Sequence, residues 1–188
     1  MQPLAYQILP YSCWVTSMLN GLLILYGNKN RMSGLVYRLL HDVLTEEGVY
    51  TQGKPGNDFS TILAAIQVRS KLKVHHYDDV AVADAIRQLT FNGQVAICSV
   101  NSGTHAILLI GKKGGWFEAF DPDWDSVKRK REIPDAYITQ PEASRKSRRG
   151  QINLLIEENY LLRSRGGKRG GNHLGAVCAR TLTVIEKP

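Results

Sequence analysis

After Pro10, apolar residues recur at Val15, Met18, Leu19, Leu22, Leu23 and Tyr26. That is the i, i+3, i+4, i+7 spacing of a helix with a wide buried face. Ser12 suits its N-cap and Gly27-Asn28 its stop. A second run, Met32, Leu35, Val36, Leu39, Leu40, Val43 and Leu44, predicts a helix within 31–49. Turn residues from Gly53 to Asp58 separate it from a third helix over 59–68. Residues 72–77 read as a short strand and 81–89 as another helix. The pattern then changes. Gln94–Val100 is an unbroken apolar run, and 105–110 is a second. The glycines and lysines of 111–115 predict a hairpin turn, Trp116–Phe120 the return strand, and Asp121-Pro122-Asp123 its end. Strands are also expected within 152–156 and 176–185, joined by basic, glycine-rich stretches without a period. Helices first and antiparallel strands second make an α+β protein, an N-terminal helical layer on a C-terminal antiparallel sheet. One domain over 1–188 is expected, helical over 1–92 and β over 93–188.

Composition adds limits. A chain of 188 residues with 43% hydrophobic and 22% charged residues is ordinary for one globular domain. No apolar run reaches the length of a membrane span. The first residues lack a signal-peptide pattern, so the cytoplasm is the expected compartment. Cys13, Cys98 and Cys178 are odd in number and far apart. They argue against a disulfide framework or a zinc site and for reducing surroundings. The net charge of +7 is concentrated, because residues 126–169 carry 12 Lys or Arg against 5 Asp or Glu. No aromatic residue lies inside the basic runs 128–131, 145–149 and 163–169, so 126–170 reads as a solvated, mobile surface and nucleic acid is not expected as a partner.

The chemistry gathers around Cys13, at the first position of the first predicted helix. Unpaired backbone N–H groups and the helix dipole favour an anion there, and a thiolate is one. A nucleophilic thiol needs a base, and that base an orienter. His105 opens an apolar strand, where its ring can face a cleft. Asp121 lies 16 residues on, at the end of the strand returning from the hairpin. Paired strands set it beside His105, so it can accept the Nδ1–H. Gln7, six residues before the cysteine, can supply a carboxamide N–H beside that of Cys13 for an oxyanion. Trp14, Thr104 and Trp124 flank these residues and are candidates for the walls of a substrate cleft. His76 and Asp78 would share a strand face, but two ligands do not close a metal site. Cys98, within an apolar strand, reads as inert core.

Gln7…Ser12-Cys13-Trp14, Gly103-Thr104-His105-Ala106-Ile107-Leu108-Leu109-Ile110-Gly111 and Phe120-Asp121-Pro122 together resemble the papain-like cysteine peptidases. Within them the pattern looks most like the bacteriocin-processing peptidases, which remove double-glycine leader peptides. Trp14 after the cysteine is closer to papain itself. The resemblance covers roughly residues 5 to 125. It implies a papain-like fold, Cys13 as nucleophile, His105 as base, Asp121 as orienter and Gln7 as oxyanion donor. It further implies a peptide or protein substrate and no cofactor or metal. Deamidases and acyltransferases use the same site, and a catalytically inactive peptide-binding module could retain it, so these alternatives stay open.

Overall fold

The computed structural model describes residues 13–26, 63–64, 67–68, 71–100, 105–123, 138–139, 152–163, 174, 176–177 and 180–188. The predicted helix at 31–49 and the connections between 124 and 137 lie outside these residues, as do Gln7, Thr104, Trp124 and Cys178.

Helix α1 runs Cys13–Tyr26, within the bounds its periodicity predicts. Its buried surface is wider than the apolar spacing suggests, because Ser17, Asn20 and Gly21 are buried too. Cys13, Ser17 and Gly21 are four residues apart and form one ridge of small side chains. Gly21 shows what the small size allows. A Cβ placed there would lie 3.1 Å from Val95 Cγ2 and 3.3 Å from Leu108 Cδ1. The helix therefore approaches the sheet more closely than a larger residue would permit.

The described strands are β1 (Lys73–Asp78), β2 (Gln94–Val100), β3 (His105–Lys113), β4 (Trp116–Phe120), β5 (Ile138–Thr139), β6 (Leu154–Glu157) and β7 (Thr181–Glu186). They form one sheet in the order β1-β7-β2-β3-β4-β6-β5, with every pairing antiparallel. The last strand thus lies between β1 and β2. Helix α2 (Val80–Gln88) follows β1, and the short α3 (Glu158–Leu161) follows β6. Neither β5 nor α3 is visible in the hydrophobic pattern.

Strands β2 and β3 are buried on both faces. Such strands need cover on each side, which accounts for their unbroken apolar runs. Val95, Ile97, Ala106, Leu108 and Ile110 pack with α1, together with Leu63 and Leu72. On the other face Ala96, Cys98, Ile107 and Leu109 pack with Val82, Ala85 and Ile86 of α2 and with Tyr160 and Leu161 of α3. The sheet is therefore covered from both sides, where the order of elements alone predicts two layers. Burying each large aliphatic side chain contributes about 1.5–3 kcal/mol.

The β3–β4 hairpin is tighter than expected. Strand β3 continues to Lys113, paired with Trp116, and only Gly114 and Gly115 turn. Their φ values of 59° and 79° are those of a type I′ turn, which glycine adopts without strain. The register shifts by one residue between Leu109 and Gly111, leaving Ile110 as a bulge.

Candidate active site

Three chain segments converge at one end of the sheet. Cys13 is the first residue of α1, His105 the first of β3, and Asp121 follows the last residue of β4. Strand β4 ends on the Leu108–Phe120 pair, so Asp121 leaves the ladder near the end of the sheet at which β3 begins with His105.

His105 Nε2 lies 2.8 Å from Asp121 Oδ1. The contact is through Nε2, not the Nδ1 that triad reasoning from the sequence suggests. Nε2 is the ring nitrogen farther from the backbone. Cys13 is close enough to His105 for its side chain to act on the imidazole. Burial works against a charge on the imidazole. The hydrogen bonds to Asp121 and Cys13, and the charges of both, outweigh it, and the His105 pKa is raised to about 10. The pairing with Asp121 and the nearby thiol thus favour the protonated ring.

Asp121 is itself fixed. It is 3% exposed, and its Oδ1 also accepts the backbone N–H of Asp123 at 2.8 Å. Its backbone N–H donates to Asn153 Oδ1 at 2.8 Å, and Asn153 Nδ2 donates to its carbonyl at 2.8 Å. Asn153, just before β6, was not singled out in the sequence. The available signal was a residue poorly suited to strands at the head of an apolar strand pattern.

Cys13 and Trp14 are 6% and 7% exposed, and both belong to the cluster between α1 and the sheet. Trp14 thus contributes to that packing. Cys98 is fully buried on the opposite face. Burial raises its pKa to about 11, with the guanidinium of Arg180 opposing the shift. Arg180 is 1% exposed, and donates from Nε to the Leu174 carbonyl at 3.1 Å and from Nη1 to that of Leu161. His76 and Asp78 do share a face, but they bond to each other at 3.1 Å, and His76 Nδ1 meets Thr183 Oγ1 at 3.0 Å. Among the described residues no helix is long and apolar enough to cross a membrane.

No family model and no curated protein matches the chain. A solved structure from Bacillus anthracis, described as a "putative C39-like peptidase", is similar at 11% identity and a TM-score of 0.43, over 98% of this chain and 94% of that one.

Proposed function

We propose that the chain is a thiol hydrolase of the papain-like class, folded as one domain, and that it cleaves an amide bond in a peptide or protein. The observation that carries this reading is His105, hydrogen-bonded to buried Asp121 and standing beside Cys13 at a helix start. Attack begins from the Cys13 thiolate, stabilised by the imidazolium and by the end of α1. Its sulfur adds to the carbonyl carbon, and the oxyanion is met by the backbone N–H of Cys13 and by Gln7. Collapse breaks the C–N bond, and His105 gives its Nδ1 proton to the leaving amine. The thioester is then hydrolysed by a water that His105 deprotonates, and Cys13 is released. Together with the attacking water, thiol and imidazole supply every electron pair and proton these steps need, without a cofactor.

Two measurements test this reading. A limiting amount of iodoacetamide near pH 6 labels Cys13 ahead of Cys98, because an unassisted thiol is almost wholly protonated there. A peptide library that includes double-glycine sequences is cut by the wild type and left intact by Cys13→Ala, with the products read by mass spectrometry. Equal labelling of the two cysteines, or no labelling before denaturation, overturns the reading in favour of a peptide-binding module. Release of ammonia without chain cleavage instead makes the enzyme a deamidase.

A further inference from the structure

We propose that Asn153 is a positioning residue that aims the carboxylate of Asp121 at His105, a role that rests on the hydrolase reading above. Asp121 stands one residue beyond β4, where the chain leaves the ladder that would otherwise hold its backbone. Asn153 stands one residue before β6, the strand paired with β4. Its own backbone N–H donates to the Ala119 carbonyl at 3.2 Å, continuing the pairing by one step. Its side chain then replaces the missing strand. A carboxamide carries the same donor and acceptor as a peptide group, and Asn153 presents both to one residue, accepting from the Asp121 N–H and donating to the Asp121 C=O. Those two partners also settle which way the amide faces, since the N–H needs an acceptor and the carbonyl a donor. With the peptide groups on both sides of its Cα fixed, Asp121 has little freedom beyond its side-chain torsions. The Asp123 N–H on Oδ1 restrains those too. No other short side chain does the same, because aspartate lacks the donor, serine offers one atom, and glutamine is a methylene too long.

A positioning role differs from a turn clamp in what its loss changes. Asn153→Ala is expected to lower the His105 titration midpoint, followed by NMR of the imidazole, by about one pH unit or more, because the carboxylate no longer holds its place. With a cleaved peptide as substrate, kcat falls about 10-fold or more while KM stays within about 2-fold. Asn153→Ser can keep one of the two hydrogen bonds, so it falls between Asn153→Ala and the wild type. It carries the test alone if the alanine variant does not fold. Val82→Ala, in the core on the α2 side, serves as a control that lowers Tm without approaching the site. An unchanged His105 midpoint in the Asn153 variants, or one moved no further than Val82→Ala moves it, overturns the proposal. Asp121→Ala separates this failure from that of the parent reading. If it too leaves the His105 midpoint in place, and Cys13→Ala does not abolish cleavage, the hydrolase reading itself falls.

Discussion

At the residue scale, the atom that joins His105 to Asp121 determines what each can do. The carboxylate holds Nε2, so in the proposed reaction Nδ1 is the ring nitrogen left to carry a proton to the leaving group. Asp121→Asn keeps an oxygen able to accept Nε2–H but removes the negative charge that favours the imidazolium. The fold is expected to survive while kcat falls about 100-fold or more, as steady-state kinetics would show. Unchanged turnover would reduce Asp121 to a turn residue held by the Asp123 N–H. The pairing of His105 with Asp121 was legible in the sequence. A cysteine after a cap marks a helix start, and a histidine and an aspartate at the far ends of a hairpin must return to each other. Which nitrogen bonds which partner was not legible, because ring orientation depends on where a third element, α1, meets the sheet. Asn153 was hidden for a related reason. Its partner is 32 residues away in sequence, and both of its hydrogen bonds go to backbone, which no motif records.

At the scale of elements, two devices bring the segments into register. One is the bulge at Ile110, which shifts β3 by one residue against β4. Ile110 is as apolar as its neighbours, so alternation could not mark it, and the lysines before Gly114 read as turn rather than strand. The other is the ridge Cys13, Ser17, Gly21, where small residues let α1 sit close to β2 and β3. Its spacing was visible, but polar or small residues on a helix read as the solvent face, and here they are the inner one. Gly21→Leu tests this packing. The new side chain meets Val95, Leu108 and Ile185 with no room to spare. Overpacking of this kind costs about 1–3 kcal/mol. A lower Tm is expected, and slower alkylation of Cys13 as α1 shifts relative to His105. A Tm equal to that of the wild type would show that the helix has slack against the sheet.

At the scale of the whole molecule, the buried charge at the end of the sheet ties stability to pH. The His105 proton is bound with a pKa of about 10 in the folded chain, against about 6.5 when unfolded. Below pH 6.5 the imidazole is protonated in both states, and its stabilising contacts with Asp121 and Cys13 are fully present. As pH rises, the unfolded chain gives up this proton first. Each further step in pH then favours unfolding, until the folded chain also loses the proton near pH 10. Stability is therefore expected to decline over the window from pH 6.5 to about 10. His105→Ala has no such proton and should show a shallower decline, while titrations remote from His105 cancel in the comparison. Thermal melts of the two proteins across this range, in buffers of matched ionic strength, make the measurement. Parallel curves would mean that folding does not tighten the hold on the His105 proton. The ring would then be an ordinary histidine at a strand end, and the ion pair that the proposed chemistry starts from would not exist.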